Sequence, residues 1–372
     1  MGFLKEKKAK DLETFLSRNK RKITHSEVDI AIGNEGCDLD SFFGSLALAY
    51  SQNVVHVVNM RRIVFESKGE LVLACKYLDI KIDDLIFLER PMGNFSPQVR
   101  RAGTYFLCDK EKIALEGKKI QLYITDHNKP VIELAHCEIA MIIDHHALEK
   151  HIKFTKKIYI DVDVGSAATL VSKYMGNDID KRMAMILIIP IICDTKFLKE
   201  RTSLFDKEEY KKLKKIIGIE KKKLKNMRQS LKKARRNDKE QTTEIMLQKD
   251  LKVYEHEGFR FGNSTIKFDF EKWIDREGSK VKGIEKGKLG LILQMRLEEF
   301  SKDCAFDFYF VGCKMNKQRH LIAVNFPQIR LFAKQYRFHE LHYQGFTYYK
   351  IPVELSRKIF MPMVLRLLEK KK

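Results

Sequence analysis

The apolar positions fall into two patterns along the chain. In the first part, short apolar runs of strand length alternate with longer stretches of helical period. Val28–Ile32, Val54–Val58, Ile120–Thr125, Ile139–Ile143 and Ile158–Asp161 read as strands. Asp40–Ser51, Leu71–Leu78, Val99–Leu115, Ser166–Tyr174 and Met183–Ile192 read as helices. This alternation predicts an α/β unit, a mostly parallel sheet with helices on both faces. In such sheets functional residues collect at the carboxyl ends of strands.

Further on the pattern changes. Ser264–Phe268, Leu289–Leu297, Ala305–Val311 and His320–Asn325 are successive strand-like runs with helices between some of them, and Ser356–Leu368 reads as a closing helix. These predict a smaller C-terminal α+β domain with a mixed sheet. Between the two patterns lies a lysine-rich stretch, residues 207–239, with 15 Lys/Arg against 4 Asp/Glu. Leu213, Ile217, Leu224 and Leu231 recur there at near-heptad spacing, so it reads as amphipathic helix, in two pieces if Gly218 breaks it. The expected organisation is therefore a domain over 1–205 and a second over 206–372, the latter beginning with this connector.

Composition adds a charge argument. The chain holds 71 Lys+Arg and 50 Asp+Glu, a net charge of +21, and residues 207–239 carry about half of the surplus. That balance favours a polyanionic partner, namely nucleic acid, an acidic surface or a polyphosphate, against the plainer reading of a solvated helix face. With 44% apolar residues, wholesale disorder is excluded. No run approaches the roughly 20 apolar residues that span a bilayer, and the charged start MGFLKEKKAK is not a signal peptide. Glu6 stands where N-myristoylation of Gly2 needs Ser or Thr. The 7 cysteines are scattered and form no CxxC pair, which fits reduced thiols in a cytoplasmic protein.

Candidate chemistry sits in four acidic or histidine-bearing clusters, each after an apolar segment. Gly33-Asn34-Glu35-Gly36-Cys37-Asp38-Leu39-Asp40-Ser41 follows the first strand. Thr125-Asp126-His127-Asn128 and Asp144-His145-His146 each follow a later strand, and Cys193-Asp194-Thr195 follows an apolar helix. Singly, such residues are ordinary caps and turns. Together they are costly to bury at core segment ends without a cation or hydrogen bonds. Carboxylates and imidazoles without a thiolate favour a hard-to-borderline divalent ion, Mg²⁺ or Mn²⁺, with Co²⁺ or Zn²⁺ as alternatives.

The order DxD, DHN, DHH and a late Asp-Thr resembles the DHH phosphoesterase superfamily, in particular the branch of exopolyphosphatases, prune proteins and family II inorganic pyrophosphatases. GNEGCDLDS is similar to that branch's first motif and Gly165–Val171 to a helix start it shares. Lys249-Asp250-Leu251-Lys252 and Ser356-Arg357-Lys358 with Pro362 resemble its C-terminal motifs. The resemblance implies two divalent metal ions held by Asn34, Asp38, Asp40, Asp126, His145 and Asp194, with Asp126 bridging. Asn34 stands where the pyrophosphatases carry a histidine, which implies a looser ion and points away from them. It further implies His146 on the substrate, His127 orienting ligands, and Lys252, Arg357 and Lys358 on phosphate.

The implied enzyme is a hydrolase of phosphoric anhydride bonds, an exopolyphosphatase releasing orthophosphate from polyphosphate ends by two-metal hydroxide attack. Asp126, His146, Asp38 and Asp40 are its catalytic centre. The alternatives are a prune-like phosphodiesterase or short-chain polyphosphatase, a family II pyrophosphatase, or a non-catalytic binder of nucleic acid through the lysine-rich helix. The expected partners are inorganic polyphosphate or short phosphate chains, with no membrane insertion.

Overall fold

The computed structural model describes residues 11–91, 101–148, 155–235, 241–315 and 318–369. They form two compact units, the first ending at Arg235. In the first unit the strands are β1 (Glu27–Ile32), β2 (Val55–Val57), β3 (Phe87–Glu89), β4 (Tyr105–Cys108), β5 (Glu111–Ala114), β6 (Lys119–Thr125), β7 (Glu138–Asp144) and β8 (Thr155–Ile160). The helices are α1 (Leu12–Lys22), α2 (Leu39–Gln52), α3 (Arg62–Ser67), α4 (Gly69–Tyr77), α5 (Ala167–Met175), α6 (Lys181–Asp194), α7 (Leu204–Ile217) and α8 (Lys221–Ala234).

The central sheet runs β2-β1-β6-β7-β8, all parallel, as expected. Alternation along the strands divides the core. Ala31, Met141 and Ile143 face helices, packing with Phe42, Phe43, Leu187 and Leu213. Ile30, Ile32, Leu122 and Ile124 face the other way, onto Ile86, Leu88, Phe106 and Leu115. That second cover is a small antiparallel sheet, β3-β4-β5, where the helix over Val99–Leu115 was expected. Phe106 and Cys108 are buried between half-exposed Tyr105 and Leu107, a two-residue period. Asp109 and Lys110 both take positive φ, 48° and 73°, and close a tight hairpin that a Gly would have advertised. Part of the expected helix falls outside the described residues.

The expected boundary at 205/206 also differs from the observed end of the first unit at Arg235. The reason is burial: Leu213, Leu224 and Leu231 enter the first core. Their helices are two, as the glycine suggested. Ser203 and Asp206 form a capping box at the start of α7, and Gly218, at φ 71°, closes it.

The second unit carries a six-stranded mixed sheet in the order β13-β14-β12-β11-β10-β9. These strands are β9 (Lys252–His256), β10 (Phe259–Ile266), β11 (Phe308–Met315), β12 (Gln318–Val324), β13 (His339–Tyr343) and β14 (Phe346–Ile351). Only β10 and β11 pair in parallel. One face packs on α9 (Thr243–Gln248), α10 (Phe270–Gly278) and α11 (Leu289–Asp303), through Leu247, Trp273 and Leu293. The other packs on α12 (Ile329–Tyr336) and α13 (Arg357–Glu369), through Phe332 and Val364. The run Leu289–Leu297, expected as a strand, is the start of α11: Leu293, Leu297 and Phe300 are buried at helical spacing. Among the described residues no helix is long and apolar enough to cross a membrane.

Candidate metal centre and active site

Three neighbouring strands deliver the candidate side chains at their carboxyl ends. β1 runs into Gly33 and Asn34, β6 into Asp126, and β7 ends on Asp144 before His145 and His146. Gly33 is required here, because a Cβ would lie 2.2 Å from Ser41 Oγ, which accepts from Asn34 N at 2.6 Å. Asp38 caps α2, accepting from Ser41 N at 3.1 Å, and so starts the helix that carries Asp40 in its first turn.

Asp40 is 1% exposed. Its carboxylate accepts from Ser166 Oγ (2.7 Å), Ala167 N (2.7 Å) and Ala168 N (2.9 Å) at the start of α5. The GSAATLV segment is thus an anchor for Asp40, with orphan N–H groups satisfied by a buried anion. Burial still pushes the Asp40 carboxyl up, and the Asp38 charge adds to this.

Asp126 sits at φ 63°, in the left-handed region that Asp tolerates better than most residues, and is 4% exposed. Its Oδ1 lies 3.2 Å from His145 Nε2, and its Oδ2 accepts from Asn34 Nδ2 at 2.5 Å. His145 Nδ1 donates to the Val164 carbonyl at 3.0 Å, which turns Nε2 toward Asp126 and, at 3.8 Å, Asp40 Oδ2. Burial opposes charge on this ring, but the two carboxylates outweigh it and raise His145 to about 10. Asp144, fully buried, accepts from His146 Nδ1 at 2.8 Å and from Asn128 Nδ2 at 2.7 Å. Burial is the largest influence and acts to raise Asp144, yet the hydrogen bonds and charge of His146 together with the Asn128 hydrogen bond outweigh it and hold the carboxyl below its ordinary value. His146, with its side chain 54% exposed, keeps Nε2 for other contacts.

Donor atoms of Asp126, His145 and His146 all lie within 4.8 Å of one another. Asp194 ends α6, and burial followed by the charges of Asp40, Asp38 and Asp126 raises its carboxyl well above the ordinary range. Asp126 is raised in the same way, chiefly by burial. Crowded buried carboxylates with imidazole as their near cation fit a divalent ion, which would repay their mutual repulsion. Oxygen and nitrogen donors suit Mg²⁺ or Mn²⁺. The nearby Cys37 thiol is no nucleophile: burial pushes it up to about 12.

Asn34, expected among the metal ligands, has both ends of its amide engaged within the site. Its Oδ1 already accepts from Cys37 N at 3.0 Å, and a flipped amide would set donor against donor there. The side chain therefore donates to Asp126 and orients it. His127 Nδ1 lies 2.9 Å from the Thr125 carbonyl, and burial lowers its pKa. Sequence reasoning passed over Ser166 and Asp144 as site residues. Their signal was present, a Ser opening a helix start and an acid preceding two histidines, but their hydrogen bonds are tertiary.

In the second unit Arg357 donates to the Asp250 carbonyl (2.8 Å) and Oδ1 (3.1 Å), tying the SRK segment to Lys249-Asp250-Leu251-Lys252. Lys252 is exposed at the start of β9, while the side chain of Lys358 lies outside the described residues.

The DHHA2 domain model matches residues 229–367. Exopolyphosphatase PRUNE1 of Rattus norvegicus is 27% identical over 266 residues, 67% of this chain and 54% of that protein. The chain thus spans about half the length of that relative. A "probable manganese-dependent inorganic pyrophosphatase" of Lactobacillus acidophilus is 28% identical over 268 residues, 70% of this chain and 77% of that protein. These matches make the chain similar to proteins of the DHH phosphoesterase superfamily. The fold agrees: a Methanococcus jannaschii protein assigned to the family II inorganic pyrophosphatases superposes with a TM-score of 0.61 at 17% identity, covering 92% of this chain and 99% of that one.

Proposed function

We propose that the protein is a metal-dependent exopolyphosphatase that releases orthophosphate from the ends of inorganic polyphosphate. The observation that carries this reading is the convergence of Asp126, His145 and His146, with Asp40 against His145. On this reading Asp38, Asp40, Asp126, His145 and Asp194 hold two divalent ions, Mn²⁺ or Mg²⁺. Bound there, the ions would neutralise phosphoryl oxygens and acidify a water.

The chain's own residues do the rest. The Val164 carbonyl fixes the tautomer of His145, so that the basic Nε2 faces the carboxylates. Asn34 holds Asp126 from the opposite side, through Oδ2. Asp144 anchors Nδ1–H of His146, so that the imidazolium form of the ring can donate from Nε2–H to a phosphoryl oxygen. Lys252, Arg357 and Lys358 supply cations for phosphate. Arg357 spends part of its donor fork on Asp250, and that holds the guanidinium in place.

The likeness to PRUNE1 favours a second reading, a prune-like phosphodiesterase or short-chain polyphosphatase. Asn34, engaged by Cys37 and Asp126, argues against the pyrophosphatase reading. Phosphate release from pyrophosphate, triphosphate, long polyphosphate and cyclic nucleotides, with Mn²⁺, Mg²⁺ and Co²⁺, separates these. Long polyphosphate is expected to give the highest kcat/KM. Preference for triphosphate or a cyclic nucleotide would move the assignment to the second reading, and no metal-dependent release from any of them would end the enzymatic one.

A further inference from the structure

One face of α8 is fully committed to the core. Leu224 and Leu231 are buried, and Met227 packs beside them. The opposite face is a row of exposed cations: Lys222, Lys223, Lys225, Lys232 and Lys233. Among the described residues none of these five has an acidic partner. Lys222 and Lys225 are three apart, so their like charges repel on one helix face. The helix forms because its leucines are buried, and it carries the charge at a cost. At about 1.5 Å per residue, the row from Lys222 to Lys233 is about 17 Å long.

The row leads toward the candidate site. At its far end the Ala234 carbonyl packs over Gly69, where a Cβ would lie 2.7 Å away, and Arg235 pairs with Glu70 at 3.4 Å. The adjacent Lys68 donates from Nζ to the Gly36 carbonyl at 2.6 Å, inside the turn that carries Asn34 and Asp38. Seven residues before Arg235, on the same face, Arg228 holds a buried Nε with no hydrogen-bond partner among the described residues. A donor buried without an acceptor is costly unless something supplies one.

We propose that the outer face of α8, from Lys222 to Lys233, is a rail for the unreacted length of an inorganic polyphosphate chain, with Arg228 and Arg235 on the flank beside the leucines at its inner edge. This rests on the exopolyphosphatase reading, and it assigns the preference for long chains to residues outside the metal centre. The occupant follows from the chemistry of the face. Regularly spaced mobile point charges suit a flexible chain with charge on every unit. A single-stranded nucleic acid would want aromatic stacking platforms, and the exposed residues of α8 are lysines with Asn226 and Gln229.

The test is the combined variant Lys222→Gln, Lys225→Gln, Lys232→Gln and Lys233→Gln, with the four Lys→Arg changes as the charge-keeping control. With metal, the Gln variant is expected to raise KM for long polyphosphate 10-fold or more at unchanged kcat, leave triphosphate within 2-fold, and be rescued by Arg. In EDTA, equilibrium binding of long polyphosphate by the intact chain should weaken similarly, and its log–log salt slope should fall by about 3, roughly 0.7 for each of the four lysines removed. Unchanged binding and salt slope in the Gln variant would overturn the rail while leaving the enzymatic reading intact. If the wild type hydrolyses no phosphate chain, that reading fails, and the EDTA binding experiment still decides the rail. Equal competition by single-stranded poly-U RNA at matched charge would overturn polyphosphate as the occupant.

Discussion

Replacing Asp126 by Asn is the sharpest probe of the metal centre. Asn tolerates the positive φ of 63° that position 126 adopts, so the backbone is spared and the change is one of charge. Set to accept from Asn34, the amide turns its NH₂ toward His145 Nε2, which meets it as an acceptor only when the ring is neutral, so the ion pair is lost; the reverse setting faces donor to donor at Asn34. In the metal-free protein two effects oppose each other: the pair with His145 is lost, and repulsion with Asp194 and Asp40 is relieved. The difference made by metal is therefore the proper readout. An ion present at 100 times its Kd stabilises the native state by about 2.7 kcal/mol. Changes to groups that merely support a ligand reach about 100-fold in affinity. A loss of that size leaves about 0.4 kcal/mol, so about 2.3 kcal/mol of metal-dependent stability disappears. At about 2–4 °C per kcal/mol for a unit of this size, the Mn²⁺-induced rise in Tm should shrink by about 5–9 °C. Thermal melts with Mn²⁺ and with EDTA measure it, beside a phosphate-release assay that should fall to background. A variant that keeps both the Mn²⁺ shift and the activity would refute the role of Asp126.

Three further outcomes are expected. Asp144→Asn removes the charge behind His146 Nδ1–H and sets an amide donor against Asn128 Nδ2, so kcat should drop about 10–100-fold while Mn²⁺ affinity, read by calorimetry, moves much less. The metal-free protein should lose stability as pH rises: His145 is raised to about 10, so its contribution is full below about pH 6.5 and gone above about 10, and the raised carboxyls of Asp40, Asp126 and Asp194 act in the same direction. Denaturant melts in EDTA from pH 6.5 to 9.5 report this, and a stability that climbs with pH would contradict it. Leu224→Ala and Leu231→Ala should each destabilise the first unit by about 2–5 kcal/mol, because both side chains are buried in its core; a mild effect would return α8 to the role of a detached connector.

Much of the fold was legible from periodicity alone. The five parallel strands, the helices between them and the break at Gly218 follow from where apolar residues recur and where a glycine interrupts them. The misread segments were those whose apolar density lacked a clear period. Residues 105–114 pair through a hairpin closed by Asp109 and Lys110, and Leu289–Leu297 belongs to a helix because its partners are a sheet face supplied from elsewhere in the second unit. The unit boundary failed for a related reason. Charge dominates residues 207–234 in the sequence, while three leucines decide where their helices pack.

For the site, the sequence by itself determined which residue types stand at strand ends, and motif order named them. Only the tertiary structure decided which groups each one bonds. Asn34 has a neutral oxygen in the sequence, but the fold gives that oxygen to Cys37 and turns the amide nitrogen to Asp126. Asp40 reads as a second acid in a turn, yet it meets the start of α5, more than a hundred residues away in the chain. Local sequence fixes which donors and acceptors are available. Their pairing is a contest for directional bonds in a desolvated space, and the strands and helices must already be packed before it can be settled.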